Sequence, residues 1–412
     1  MKPEFTSTVL PGIGCGQLRR WACTIVALAC MTALPSTIAL AQTWQTEIVD
    51  SGHDVGQFSA LAIGHHDDLH VSYWDATADA PRGLLIYAFR GQGEKKWSRI
   101  AVDQDGTYLS MALDSKDRPH LAYNSKRENG LHYTYWNGKK FVRQVIDSEH
   151  INYYTSIQVD SQDHPCISYY LYHAPTGEYV LNLKYAYYDG KAWFIQTVDR
   201  RMHTGKMNAL ALDAKGNPHI SYSYLGSSGD MLYAYWADAR WQLSAADFGR
   251  TENTHLSYGN NIAVDSKGVV HVVYFDNVKN NVKYASWDGS HWTKEVVDHV
   301  VALDDLDHIA LQIDKQDHPH LAYYDAGAGA LKYAVLEGSK WETEVVPQQG
   351  GNSGLRPSLA LDSHGNPYIL SYGLMDHALH LAHRVAKPPV KEAAKPGVND
   401  STKPSVNEAA KQ

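Results

Sequence analysis

One pattern recurs seven times along the chain, and it leaves few folds open. A tryptophan is followed six residues later by an aspartate at Trp44 and Asp50, Trp97 and Asp103, Trp193 and Asp199, Trp241 and Asp247, and Trp292 and Asp298. Phe141 with Asp147 and Trp341 with Pro347 are degenerate copies, and successive copies lie 44 to 53 residues apart. A second signature runs Asp, six positions on His, then apolar-small-Tyr. It reads Asp114, His120 and Tyr123; Asp160, Cys166 and Tyr169; Asp213, His219 and Tyr222; Asp265, His271 and Tyr274; Asp314, His320 and Tyr323. The first unit has Gly64, His70 and Tyr73, and the last has Asp362, Tyr368 and Ser371. A third signature, apolar-x-Tyr-small, appears as Leu183-Lys-Tyr185-Ala and Leu331-Lys-Tyr333-Ala.

Each unit resolves into four short β-rich runs, such as His308–Asp314, His318–Tyr324, Ala330–Leu336 and Trp341–Val346 in the sixth. Turn formers separate them, most sharply Asp189-Gly190 and Asp288-Gly289. No stretch carries a 3.6-residue apolar period. Four antiparallel strands in each of seven units predict an all-β, seven-bladed β-propeller. The Trp run is the fourth strand of its unit. The first such run precedes any complete unit, and the last unit, Arg356 to Arg384, has only three strands. The N-terminal strand is therefore expected to complete the last blade and to remove the edges of an open ring.

Both ends fall outside this domain, expected at 42–386. Residues 1–41 read as a secretory signal: Lys2, Arg19 and Arg20, an uncharged run Trp21–Leu34, and the cleavage site Ala39-Leu40-Ala41. Cleavage after Ala41 would leave Gln42 first and place the protein outside the cytoplasm, secreted or periplasmic. Arg19-Arg20 and Cys30 fit twin-arginine and lipoprotein signals poorly. Residues 387–412 repeat every eight positions, with Lys387, Lys395, Lys403 and Lys411 in phase and no aromatic residue. Such a tail buries too little to order itself and is expected to be disordered.

Without residues 1–41 the chain keeps 34 basic and 44 acidic residues, since Lys2, Arg19, Arg20 and Glu4 leave with the signal. A balance of −10 without a basic cluster argues against nucleic acid. No other stretch is apolar enough to span a membrane. Cys15, Cys23 and Cys30 lie in the signal, so Cys166 alone remains and no internal disulfide is expected. It stands where other units place His, which suits a buried structural thiol.

The unit D-x-x-G-x-P-H-I-S-Y, L-K-Y-A, G-x-x-W resembles a family of secreted bacterial seven-bladed propellers, loosely related to sialidases through their neuraminidase-type repeats. Asp213-Ala-Lys-Gly-Asn-Pro-His-Ile-Ser-Tyr222 is the closest copy, and the resemblance covers about residues 44–384. It implies a fold and little about function, since a propeller hosts many activities. Sialidase activity is not expected. Ser286-Trp-Asp288-Gly289-Ser-His-Trp292 is one residue short of the sialidase turn and lacks its Thr, and no Arg-Ile-Pro motif occurs.

What recurs in every unit builds blades. His70, His120, His219, His271 and His320 sit at equivalent places around the ring and cannot meet at one ion, so they read as structural. The tryptophans read as outer-strand packing, and the aspartates as acceptors in turns. His65-His66-Asp67-Asp68 is the best local metal motif, but it falls on a turn at the opposite face. No metal or cofactor is expected.

Function is expected where units differ on one rim. Six positions before the repeat Asp stand Phe58, Tyr108, Tyr154, Met207, Gly259, His308 and Arg356; one position earlier stand Gln57, Thr107, Tyr153, Lys206, Tyr258, Asp307 and Leu355. After the second strand come Trp74 and Asp75, Asn124, Tyr170 and His173, Tyr224, Asp276, and Tyr324 with Asp325. The longest such insertion is Leu171–Leu181, and a long loop, Gly249–Asn260, carries His255 and Tyr258. Rings that stack on sugar faces and polar groups that fix hydroxyls or carboxylates suit a binding rim, expected at Trp74, Tyr108, Tyr153, Tyr154, Lys206, Tyr258, Asp307, His308 and Arg356. The reading favours a non-catalytic monomer that binds a glycan or a cell-envelope protein. Its alternative is a carbohydrate-active enzyme, such as a polysaccharide lyase. Tyr108, Tyr154 or His308 would then be the base, and Arg356 and Lys206 would neutralise a uronate.

Overall fold

The computed structural model describes residues 42–76, 83–125, 127–148, 151–173, 180–224, 229–249, 259–303, 308–349 and 353–386. Segments 1–41 and 387–412 lie outside them, as do Tyr258, His255 and Asp307. Among the described residues no helix is long and apolar enough to cross a membrane.

Seven four-stranded antiparallel sheets follow one another along the chain. The first comprises Val55–Ile63, Leu69–Asp75, Leu84–Arg90 and Ser98–Gln104, from the inside outwards. The remaining inner strands are Thr107–Leu113, Ile151–Val159, Thr204–Leu212, Asn260–Val264, Ile309–Ile313 and Ser353–Leu361. The seventh sheet is closed by Gln42–Asp50, paired from Gln42 opposite Ala386 to Asp50 opposite Leu379. The expected clasp is therefore the observed one. Proline opens most second strands, as in Pro119–Ser125 and Pro319–Asp325, where its missing N–H is tolerated.

The repeated residues join blade to blade. Each second-strand histidine meets a third-strand tyrosine hydroxyl: His70 with Tyr87 at 2.8 Å, His120 with Tyr133 at 2.6 Å, His219 with Tyr233 at 2.6 Å, His271 with Tyr284 at 2.5 Å, and His320 with Tyr333. The next blade's outer tryptophan packs edge-on against that tyrosine. Trp193 lies 5.2 Å from Tyr133, Trp292 lies 5.3 Å from Tyr233, and Trp341 lies 5.2 Å from Tyr284. Cys166 takes the histidine place beside Tyr185, and burial raises its thiol pKa to about 11, which keeps it unreactive.

The aspartates divide the work. Those of the second signature cap the hairpin: Asp114 accepts the N–H groups of Lys116 and Arg118, each at 2.9 Å, and Asp160, Asp213, Asp265, Asp314 and Asp362 repeat the arrangement. Those six places after the outer-strand Trp or Phe accept the second-strand tyrosine hydroxyl of the following blade, and Asp50, Asp103, Asp247 and Asp298 also cap the next backbone N–H. The pairs are Tyr73 with Asp50, and, at 2.6 to 3.0 Å, Tyr123 with Asp103, Tyr169 with Asp147, Tyr222 with Asp199, Tyr274 with Asp247 and Tyr323 with Asp298. The junction of blades six and seven lacks this staple. Pro347 stands for its aspartate and Ser371 for its tyrosine, so both partners are absent together.

Asp247 carries more than its siblings. It is buried and accepts Lys283, itself buried, as well as Lys294 at 2.5 Å. Burial alone would raise its pKa, but the two lysines outweigh this and hold it below the usual carboxylate range. Replacing Asp247 with Ala removes the one carboxylate that accepts Lys283, Lys294 and the Tyr274 hydroxyl together, a loss of about 3–5 kcal/mol. The drop in urea midpoint measures it, and an unchanged midpoint contradicts it.

Candidate functional site

The inner strands surround a channel that encloses a cavity of about 240 Å³. All seven residues six before the repeat position line it: Phe58, Tyr108, Tyr154, Met207, Gly259, His308 and Arg356. For four of them the reason is a shared backbone irregularity. Pairing with the second strand slips between Thr107 and Ser110, Tyr153 and Ser156, Lys206 and Ala209, and Leu355 and Ser358. At each slip the chain turns left-handed, with φ of 52° at Tyr108, 53° at Tyr154, 52° at Met207 and 51° at Arg356. A bulge of this kind re-aims one side chain away from the ladder, here towards the axis. Aromatic residues and arginine seldom adopt this conformation, which costs about 1–3 kcal/mol at each and persists only where neighbours enforce it.

The neighbours are visible. The bulge carbonyls point sideways and are taken by the next blade. Thr155 Oγ1 donates to the Tyr108 carbonyl at 2.6 Å, Asn208 Nδ2 to the Tyr154 carbonyl at 2.6 Å, and Asn260 Nδ2 to the Met207 carbonyl. Two positions before the bulge, Gly354 has φ 129°, and a Cβ there would lie 2.7 Å from the Leu331 side chain. Gly56, Gly106 and Gly205 fill the same place in other units. This glycine was a sequence signal for the bulge that the register argument passed over.

The side chains form a continuous arc. Trp74 stands 6.0 Å from Phe58, Phe58 4.7 Å from Tyr108, and Tyr108 4.9 Å from both Tyr153 and Tyr154. The Arg356 guanidinium lies 4.4 Å over Phe58 at one end, and the Lys206 ammonium 5.9 Å over Tyr154 at the other. Arg356 also donates to the Gln57 carbonyl at 3.0 Å, which fixes its orientation. His308 completes the lining. Burial first, and the Arg356 charge second, lower its pKa to about 3, so it is neutral at physiological pH.

Of the proposed rim set, Tyr108, Tyr154, His308 and Arg356 thus share the cavity wall, whereas Trp74, Tyr153 and Lys206 flank it through ring and cation contacts. Tyr258 and Asp307 fall outside the described residues. The residues picked after the second strand divide differently. Asn124, Tyr170, Asp276 and Tyr324 are buried, because they belong to strand ends inside the blade and not to a loop. The third-blade insertion likewise begins and ends as strand, in Pro165–His173 and Val180–Tyr188. On the opposite face His65 pairs with Asp117 at 2.7 Å, and Asp67 accepts Ser363, so this motif ties neighbouring blades. Among the described residues no group of three His, Cys, Asp or Glu side chains is placed to hold a metal.

No known family profile and no curated protein matches the sequence. Solved structures do match. A polysaccharide lyase named Uly1 superimposes with a TM-score of 0.54 at 10% identity, over 81% of this chain and 90% of its own. An ulvan lyase, solved with a bound GlcA(1-4)Rha3S glycan, gives 0.53 at 10% identity over 81% and 95%. A protein of unknown function from Dyadobacter fermentans gives 0.50 at 10% identity over 83% and 98%. At these identities the likeness is one of fold.

Proposed function

We propose that this protein binds a glycan at the mouth of its central channel, outside the cytoplasm, without transforming it. The arc from Trp74 through Phe58 and Tyr108 to Tyr154 carries this reading. Flat rings present apolar faces that suit the C–H faces of sugars, and the polar groups beside them fix orientation. The cavity lies just below the roughly 300–1,000 Å³ of common ligand pockets. It suits one sugar ring, with the remainder of a chain lying across the arc. Affinity should therefore rise over the first few units of an oligosaccharide and then level off.

The lyase reading draws on the same convergence of Tyr108, Tyr154, His308 and Arg356. A general base works best with a pKa near the operating pH. An imidazole held at about 3 is a poor one, which counts against His308 in that role. Calorimetric titration with a panel of oligosaccharides tests the proposal. Tyr108→Ala, which removes the ring at the centre of the arc, should weaken binding roughly tenfold, from about 0.5–1.5 kcal/mol of ring stacking plus its buried area. Tyr108→Phe should bind nearly as the parent does. Undiminished affinity in Tyr108→Ala contradicts the site, and unsaturated product from a uronate polymer contradicts the non-catalytic reading.

A further inference from the structure

Each blade ends in an outer strand, and among the described residues that strand has no neighbour on its far side. Such an edge presents backbone N–H and C=O groups that invite pairing with another chain, and charged side chains are the common protection. Apart from the repeated aspartate, six of the seven outer strands carry at least one: Glu47, Arg99, Arg143, Arg240, Lys294 and Lys340 each stand in a different strand. The outer strand of the third blade, Trp193–Asp199, reads WFIQTVD and carries none. Its Asp199 is buried and bonded to the Tyr222 hydroxyl, so it does not protect the edge. Phe194 and Ile195 are exposed to 44% and 42% and lie on opposite faces of this strand. The junctions to either side are neutral as well. Gln144 and Gln196 accept the indole N–H of Trp193 and of Trp241 at 2.8 Å, the role that Glu295 and Glu344 fill for Trp341 and Trp44. The chain as a whole is acidic, with 45 acidic against 37 basic residues, so two copies repel over most of their surfaces. They can approach where the outer side is neutral. Identical strands that pair antiparallel are related by a two-fold axis, which closes the assembly at two copies.

We infer that the protein forms a homodimer in which Trp193–Asp199 of two copies pair antiparallel and join two third blades into one eight-stranded sheet. Each copy supplies the ladder partner that the other's edge lacks, and the pairing covers Phe194 and Ile195. The dimer goes beyond the monomer expected from the sequence. It is independent of the glycan reading, because the channel is lined from the inner strands. Sedimentation velocity of the full chain over a range of concentrations tests it. A species of twice the single-chain mass should appear and grow with concentration. Ile195→Lys and Thr197→Lys each bring two like charges together near the axis, and each should raise the dissociation constant at least about tenfold. Ile195 is exposed, so the separated Ile195→Lys chains should keep the parent's thermal midpoint. Val345→Lys, on an outer strand that already carries Lys340, Glu342 and Glu344, should leave the dimer as it is. Should both lysine variants at the edge fail to fold, hydrogen exchange of the parent decides. The amides of Trp193–Asp199 should exchange more slowly as concentration rises, and those of the second blade's outer strand, Phe141–Asp147, should not. A parent that sediments as one chain at every concentration overturns the second copy as occupant of this edge. A dimer untouched by both lysine variants, or exchange in Trp193–Asp199 that ignores concentration, overturns the edge as its seat.

Discussion

Deleting residues 42–50 abolishes cooperative folding. The segment is a full strand, paired along its length with Leu379–Ala386. It places Val49, only 1% exposed, in one core with Val55, Leu61 and Leu379, which bridges the last blade and the first. Trp44 stacks edge-on at 5.6 Å against Tyr333, and its indole N–H donates to Glu344 at 3.1 Å. Asp50 supplies the staple to Tyr73, and Glu47 pairs with Arg90 at 2.7 Å. Trp44 is partly buried, so its loss removes less than the about 3–5 kcal/mol of a core tryptophan, and loss of the buried Val49 removes a further ~2. The lost ladder and the exposed edge of blade seven add to that, against a total stability of about 5–15 kcal/mol. Thermal unfolding followed by far-UV circular dichroism should show no transition, and the protein should aggregate through the unpaired strand. A circular permutant separates loss of the strand from loss of the terminus. Because Gln42 lies opposite Ala386, a two-residue turn after Ala386 joins the same strand as an ordinary hairpin, as in the other blades. That permutant should melt near the parent temperature. A deletion variant that melts with the parent would show that the ring does not need its clasp.

The clasp was legible because the repeat has a phase. Trp44 begins a fourth strand before any first strand exists, and Arg384 ends a third strand with no fourth to follow. The seven channel positions were legible for the same reason, since a residue fixed relative to Asp114 is fixed relative to each counterpart. Two things were not legible. The Trp–Asp and His–Tyr signatures looked like separate blade-building motifs, and nothing local says that Asp103 bonds Tyr123 across a blade junction. The paired loss of Pro347 and Ser371 recorded that contact, but only once the partners were known. The left-handed turn at Tyr108, Tyr154 and Arg356 was hidden because these residue types disfavour it; tertiary bonds from Thr155 and Asn208 override the local preference. Among the described residues the arc rests on strands, with Tyr108 in Thr107–Leu113 and Tyr154 in Ile151–Val159.

The structural histidines make the propeller sensitive to acid. His70, His120, His271 and His320 are buried and His219 is partly buried, and burial lowers each imidazole pKa, that of His70 to about 4. Facing charges oppose the shift without cancelling it: Asp117 and Asp68 at His70, Asp114 at His120, Asp213 at His219, Asp265 at His271 and Asp314 at His320. Geometry explains why the neutral ring is required. At His120 and His320 the imidazole Nδ1 accepts the tyrosine O–H while Nε2 faces the turn aspartate at 3.4 and 3.3 Å. A protonated ring would present a second N–H to the tyrosine and lose its acceptor. The sign follows from linkage. An unfolded histidine takes its proton near pH 6.5 and the folded one resists until lower pH, so the unfolded state binds more protons in between and stability falls on acidification. Each unit of depression is worth about 1.4 kcal/mol, so His70 alone contributes roughly 3 kcal/mol that is present above pH 6.5 and gone near pH 4. His308 adds to the same trend, with its folded value near 3. Asp114, Asp213 and Asp314 have lowered carboxylate pKa values, and they act in the same direction only below the ordinary carboxylate range. Urea midpoints should therefore decline steadily between pH 6.5 and pH 4.5, before most carboxylates titrate. His70→Gln should make that decline shallower, because an amide can meet Tyr87 and does not titrate. A midpoint that holds level from pH 7 to pH 5 would mean that these rings carry their protons in the folded ring of blades.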